Sequence, residues 1–422
     1  MSMEKLIFHI DVNSAFLSWE AVERLKYPEQ YPEITVDLRT IASAVGGDRS
    51  KRRGIILAKS IPAKKYKVQT GEPITDALKK CPNLVIVPAR HGIYTQYSKA
   101  FIAILEQYSD RIEQCSIDEC FIDMTGTEKL FGAPEVAAAR IKDEIYHKLG
   151  FTVNVGISTN KLLAKMASDF KKPNLVHTLF PYEIPDKMWR LPVRDLFLVG
   201  KSTERTLHTL GIHTIGELAK SDLQVIKGAL KKQGEAIWKF ANGEGASIIE
   251  SEPADSKSYG NATTIAFDVT DESTADMVLM SLAETVGRRL RRDGAKAQVV
   301  AVNIRYSDLS RTSHQCELVH ATNITNELYG TACRLFEELW DGRPVRLLGI
   351  QTSHIKKMSD GVQLSLFDDK NMEKLEKLDR AMDSIREKYG SDAVRRASFL
   401  EKSDAAKRKI DAAPGKEKHF GR

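Results

Sequence analysis

Over the first 180 residues, apolar runs of strand length alternate with helical patterns, which limits this half of the chain to an α/β or α+β design. The first run, Leu6 to Ile10, stops at Asp11 and passes into an apolar-periodic segment through Phe16, Trp19 and Val22 that ends near Tyr27-Pro28: strand, turn, helix. β-rich runs at Ile41 to Val45 and Ile55 to Ala58 alternate with basic loops such as Lys51-Arg52-Arg53, predicting a small mixed unit. A helix over Tyr97 to Tyr108 leads into a hairpin with strands at Arg111 to Cys115 and Cys120 to Met124, broken at Ser116 to Glu119. A helix over Glu135 to Leu149, a strand over Thr152 to Ile157 and a helix over Asn160 to Phe170, capped by Ser158 or Thr159, complete this half.

From Pro181 to Gly245 the pattern is helical, with turns at Gly200, Gly211 and Gly216, and Gly243 to Ser258 has linker composition. Strands at Ala297 to Arg305 and Leu347 to Ile355 then combine with helices at Ala275 to Arg292 and Ala321 to Glu338. The strongly charged stretch from Lys356 onward holds one more helical pattern, Met372 to Lys388. A chain of 422 residues exceeds what one core supports, so several domains are expected. Its net charge of +6 permits a polyanionic partner. Five scattered cysteines, with no C-x-x-C pair, predict reduced and mostly buried thiols. No run reaches the ~18 apolar residues of a membrane span and no secretory signal opens the chain, so a soluble, intracellular protein with no membrane partner is expected.

Asp11 closes the first strand and Asp118-Glu119 sit at the break between two others, where side chains can leave a sheet together. Any one such acid is ordinarily a solvated turn residue. Three on one edge call for cations, and a pair of Mg²⁺ ions roughly 3.5 to 4 Å apart, held by carboxylates and substrate phosphates, suits phosphoryl transfer.

The segments Asp11-Val12-Asn13-Ser14-Ala15-Phe16, Cys115-Ser116-Ile117-Asp118-Glu119-Cys120 and Gly156-Ile157-Ser158-Thr159-Asn160-Lys161-Leu162-Leu163-Ala164-Lys165, in that order, resemble the Y-family DNA polymerases. The likeness continues through Gly46-Gly47-Asp48, Lys51-Arg52-Arg53-Gly54, the Gly200 region and Thr263-Thr264, to about residue 355. It implies an α+β multidomain, right-hand polymerase with a ferredoxin-like palm (1–14 and 92–180), small fingers (15–91) and a helical thumb with a helix-hairpin-helix (181–245). A linker (246–258), an α/β little finger that binds DNA (259–356) and a tail (357–422) follow. The implied activity is template-directed primer extension with dNTPs past damaged bases, at low fidelity and without proofreading, by a monomer in the cytoplasm at the nucleoid.

By the same resemblance, Asp11 and Asp118 bridge two Mg²⁺ ions, with Mn²⁺ as the alternative. Glu119 holds the ion that activates the primer 3′-hydroxyl, and the Val12 carbonyl binds the nucleotide-side ion. Phe16 is the steric gate under the sugar, and Ala15, Ser60, Lys64 and Lys172 are the remaining dNTP contacts. Ile61 and Lys64 depart from the family's usual Tyr and Arg, so a phosphate donor and a bidentate fork are missing.

Gly200 and Lys201 open the helix of the implied hairpin, whose backbone N–H groups can hold a DNA phosphate, although Leu198 stands where Gly is usual. In the little finger, Arg288, Arg289, Arg291 and Arg292 form a basic cluster, and Arg305, Arg311, Thr312 and Ser313 lie on or beside strands from which they can reach a phosphate backbone. Gln363, Leu364, Leu366 and Phe367, in a run spanning 363–367, resemble the peptide that docks bacterial polymerases into the sliding clamp. Primer-template DNA, dNTPs and the clamp are thus the expected partners. Two competing readings are a clamp-tethered DNA-binding protein with impaired or no synthesis, which Ile61 and Lys64 make conceivable, and a helix-hairpin-helix glycosylase, which the long α/β half disfavours.

Overall fold

The computed structural model describes residues 5–47, 54–252, 255–357, 370–390 and 392–396, and the chain divides into two compact units. In the first, the opening run becomes strand β1 (Ile7–Val12), buried along its whole length. Helix α1 (Ala15–Lys26) follows a turn in which Ser14 takes a left-handed φ of 49°. Strands β2 (Ser43–Gly46) and β3 (Ile56–Lys59), short helices α2 (Ile61–Lys65) and α3 (Ile74–Lys80), and strand β4 (Val85–Pro88) build a three-stranded sheet of order β3-β2-β4. Next come α4 (His91–Leu105), the hairpin β5 (Ile112–Gln114) and β6 (Glu119–Asp123), α5 (Glu128–Phe131), α6 (Pro134–Leu149), β7 (Val153–Ser158), α7 (Lys161–Asp169) and β8 (Val176–Thr178).

These strands form a second sheet of order β5-β6-β1-β7-β8, with β1 antiparallel to both neighbours and β7 parallel to β8. A central strand must be covered on both faces. Phe8, Ile10 and Val12 join a core with Leu17, Trp19, Phe101, Leu105, Ile141 and Ile145, while Ile7 packs with Phe121 and with Ala164 of α7 on the other side. Helix α7 lies directly on β7 because residue 156 is glycine: a Cβ there would stand 1.9 Å from the Ala164 carbonyl oxygen and 2.4 Å from the Ser168 nitrogen. The helix is capped by Asn160, whose side chain accepts from the Leu163 N–H, rather than by Ser158 or Thr159.

Beyond tight turns between Pro181 and Asp195, the unit ends in α8 (Lys201–Thr209), α9 (Ile215–Lys220) and α10 (Leu223–Ala241), gathered around Leu207, Ile215, Leu218, Ile226 and Ile237. Gly216 lies within α9, not in a turn, and is small because a Cβ would come within 2.9 Å of Trp189 Cβ. Leu198, before α8, has φ of 67°, the left-handed region that glycine occupies without cost.

The second unit begins with β9 (Ser258–Val269) and continues through α11 (Glu272–Arg292), β10 (Ala295–Tyr306), β11 (Arg311–Thr322), α12 (Thr325–Leu339), β12 (Val345–Lys357) and α13 (Lys370–Tyr389). Its sheet, order β11-β10-β12-β9, is antiparallel throughout. Val300, Val302 and Ile304 point into a core shared with Leu279, Ala283 and Val286 of α11 and Leu328 and Leu335 of α12, so both helices cover one face. The thiols are free, but only Cys81 and Cys120 are buried; Cys115 is exposed and Cys316 and Cys333 are half-buried, against the expectation of mostly buried cysteines.

Helix α13 docks on α11 through Arg291, which is buried rather than part of an exposed basic cluster. Its guanidinium meets Asp379 at 3.1 Å and Asp383 at 2.6 Å, and donates to the Asn323 carbonyl oxygen at 2.7 Å. Asp379 also accepts from the Thr325 N–H and from Arg396, and Glu284 accepts from Arg386 and Arg396. Removing one member of such a buried pair strands the other. Arg291→Leu is therefore expected to destabilise the second unit by roughly 3–5 kcal/mol, measured by urea unfolding of the full chain; a change within the scatter of surface substitutions would contradict this account of the clasp.

Candidate active site

Asp11 of β1 is paired directly with Glu119 of β6 on one side and with Asn154 of β7 on the other. Directly opposed residues of an antiparallel pair point to the same face, so Asp11 and Glu119 emerge together. The Val12 N–H donates to the Asp118 carbonyl oxygen at 3.0 Å, fixing the turn before β6 against the end of β1. Ser116 Oγ donates to Asp118 Oδ1 at 2.7 Å and sets that carboxylate's direction. The three predicted acids thus share one sheet edge.

Burial raises the proton affinity of two of them. Burial, opposed by Lys172 and reinforced by the neighbouring Glu119 charge, pushes the Asp11 carboxyl up to about 7, and burial likewise raises Asp118. Two lysines answer the charge. Lys172 Nζ lies 2.9 Å from Asp11 Oδ1 and 2.8 Å from Asp169 Oδ1; burial works against its ammonium, but the two carboxylates hold it above the usual lysine range. Lys165 Nζ lies 2.9 Å from Glu119 Oε2. His9 Nε2 comes within 3.9 Å of the same oxygen, but burial and both lysines hold the imidazole well below its ordinary value, so it is neutral and makes no ion pair.

As the side chains stand, no three acids, histidines or cysteines among the described residues converge closely enough to hold an ion. The ammonium groups of Lys165 and Lys172 supply the positive charge instead. Crowded hard carboxylate oxygens already neutralised by cations are a donor set that suits a hard divalent ion able to displace those lysines.

Phe16 is half-buried on α1 and stacks on Tyr94 at 4.5 Å between ring centroids, with His91 edge-on at 6.0 Å. Tyr94 is itself held by Glu20, through a 2.8 Å hydrogen bond to Oε1. Ala15, the first residue of α1, buries its methyl in the core. Lys64 is exposed on α2. Ser60, an expected dNTP contact, has its hydroxyl engaged elsewhere: its Oγ donates to the Ile41 carbonyl oxygen and accepts from the Ala63 and Ser43 N–H groups, which saturates it as the cap of α2.

Gly200 is the N-cap of α8 and Lys201 its first residue, exposed. Arg305 and Arg311 are directly paired across β10 and β11, with Ser313 opposite Asn303 on the same face, away from the helices. Thr312, one residue off, pairs with Ile304 and belongs to the helix-covered face, so it does not join them. Arg288, Arg289 and Arg292 lie at the end of α11, where Arg289 donates to the Gly260 carbonyl oxygen and Arg292 pairs with Asp293. They therefore belong to a helix on the covered side of the sheet. Gln363, Leu364, Leu366 and Phe367 lie outside the described residues, as does most of the basic run Lys51-Arg52-Arg53-Gly54. Residue-by-residue reading gave no role to Lys165, His9 or Asn154; the signal for Lys165 was its place one helical turn beyond Lys161, facing Glu119 and Glu113 respectively.

Residues 10–169 match the impB/mucB/samB family, residues 256–366 its C-terminal domain and residues 181–212 the HHH motif of the IMS family. The DNA polymerase IV of Clostridium acetobutylicum is 46% identical over 95% of this chain and 100% of that protein. That of Acetivibrio thermocellus is 38% identical over 94% of this chain. The chain belongs to the Y-family DNA polymerases. Among solved structures, a Y-family DNA polymerase chimera superposes with a TM-score of 0.69 at 23% identity, covering 83% of this chain and 99% of that one. A Dbh ternary complex gives 0.56 at 24% identity, covering 82% and 98%. The Y-family fold of palm, fingers, helical thumb and α/β little finger is therefore the fold of this chain.

Proposed function

We infer that this chain is a translesion DNA polymerase, which extends a primer 3′-hydroxyl with dNTPs on a DNA template. The observation that carries this reading is the placement of Asp11, Asp118 and Glu119 at one end of the paired strands β1 and β6, in a chain nearly half identical to a curated DNA polymerase IV along almost its whole length. A binding protein without synthesis is not favoured, because all three acids are present.

In the proposed mechanism Asp11 and Asp118 would hold the divalent ions together with Glu119 toward the primer and the Val12 carbonyl toward the nucleotide. When bound, such ions, Mg²⁺ in our reading, neutralise charge on the attacking and leaving oxygens of an in-line displacement. The remaining work is placement by this chain's own groups. Lys172 and Lys64 neutralise the triphosphate, Lys172 turning to it from Asp11. Phe16, backed by Tyr94, presents a flat ring beneath the incoming sugar. No side chain forms a covalent bond to substrate.

The grip on DNA is sequence-independent in this account. The N-terminus of α8, at Gly200 and Lys201, takes a phosphate. The face bearing Arg305, Arg311 and Ser313 follows the backbone. Like charges directly opposed across two strands destabilise a sheet, and neither Arg305 nor Arg311 has an ion-pair partner among the described residues, so a polyanion is their natural counterpart. We take residues 1–14 and 92–180 as palm, 15–91 as fingers, 181–245 as thumb and 259–356 as little finger. The monomer acts in the cytoplasm, tethered to the sliding clamp through residues 363–367.

Primer extension with four dNTPs and Mg²⁺ tests the core of this reading: Asp118→Ala abolishes extension while duplex binding persists, and a wild-type chain that binds DNA but adds nothing with Mg²⁺ or Mn²⁺ would overturn it. Single-nucleotide incorporation by Phe16→Ala is expected to admit ribonucleotides; unchanged sugar discrimination would remove the gate. A peptide spanning Gly361 to Asp369 is expected to bind the host's clamp and to lose binding on Leu366→Ala or Phe367→Ala, whereas binding indifferent to both changes would dismiss the clamp.

A further inference from the structure

The loop between α7 and β8 carries Lys172 to the acids, and two buried amides hold it there. Asn154, fully buried on β7, donates from Nδ2 to the Ser168 carbonyl oxygen at 3.1 Å and to the Lys171 carbonyl oxygen at 2.7 Å. Its Oδ1 accepts from Asn13 Nδ2 at 3.1 Å and from the Leu175 N–H at 3.4 Å. Asn13, also buried, accepts the Asn174 N–H on Oδ1 at 2.9 Å. The two side chains therefore grasp the turn on both sides of Lys172, at residues 171, 174 and 175. Asn13 directly follows Asp11 and Val12 at the end of β1, and Asn154 is the strand partner of Asp11.

We propose that Asn13 and Asn154 are positioning residues for Lys172, locking its loop to the end of the strand that bears Asp11 so that the ammonium is delivered to the triphosphate of the incoming nucleotide. The inference rests on the reading of Lys172 as a triphosphate contact. Its chemical basis is that amides are required. Each Asn uses both an N–H donor and a carbonyl acceptor, and a carboxylate at 154 would direct oxygens at two backbone carbonyls, with no proton to share. Lys172 can transfer between Asp11 and phosphate only if its backbone stays fixed, because misplacement by about 1 Å costs on the order of a hundredfold in effective geometry.

The test is a double-mutant cycle of Asn154→Asp and Lys172→Ala. It is read as KM and kcat for single-nucleotide incorporation and as dNTP affinity of the protein–primer–template complex with Ca²⁺ and a dideoxy-terminated primer. Asn154→Asp is expected to weaken nucleotide binding and raise KM by roughly tenfold to a hundredfold with kcat little changed, and to add nothing in the Lys172→Ala background. If Asn154→Asp fails to fold, Asn13→Ala is read through the same cycle. Unchanged KM, or a penalty that persists in full without Lys172, overturns the positioning role. A wild-type KM in Lys172→Ala alone would instead overturn the underlying triphosphate contact and leave the amides a purely structural clasp.

Discussion

Negative charge concentrated at the end of β1 is the constraint around which the first unit is organised. Asp11 is almost wholly withdrawn from water, Glu119 is its strand partner and the Asp118 carbonyl oxygen accepts the Val12 N–H. Ionised carboxylates in such a place are tolerated only with compensating positive charge. Lys165 and Lys172 supply it from the two ends of one short stretch, the first on α7 and the second just beyond it.

The second unit treats charge differently. Its sheet leaves one face open and polar, with Arg305 and Arg311 side by side, while the covered side uses ion pairs as fasteners between α11 and α13. Arginine thus lies on the open face of the sheet in one place and serves as an internal bolt in another, within a single small fold.

Much of this was legible in the sequence, and the failures have physical causes. The apolar run ended by Asp11 and the hairpin break at Asp118-Glu119 identify strand ends because alternation and turn residues are local signals. Local signals cannot separate Arg291 from Arg288 and Arg292: which arginine turns inward depends on Asp379 and Asp383, nearly ninety residues away in sequence. Thr312 stands one residue out of step with Arg311 and Ser313 and so takes the other face, which composition does not reveal. Ser60 has the composition of a phosphate contact, yet its hydroxyl is spent on backbone groups that only the fold brings near. Gly216 read as a turn because the need for a small residue against Trp189 leaves no trace in the local pattern.

The close seating of α7 on β7 has a wider consequence. With no side chain at position 156 between helix and strand, the spacing of the two backbones is fixed by contact alone. Helix and strand are held as one body, with Lys165 between the contacts at Ala164 and Ser168 and the loop of Lys172 just beyond them. Tolerance to mutation at this site therefore does not track charge: one carbon added at position 156, on the strand beside that of Asp11, would shift both cations at once.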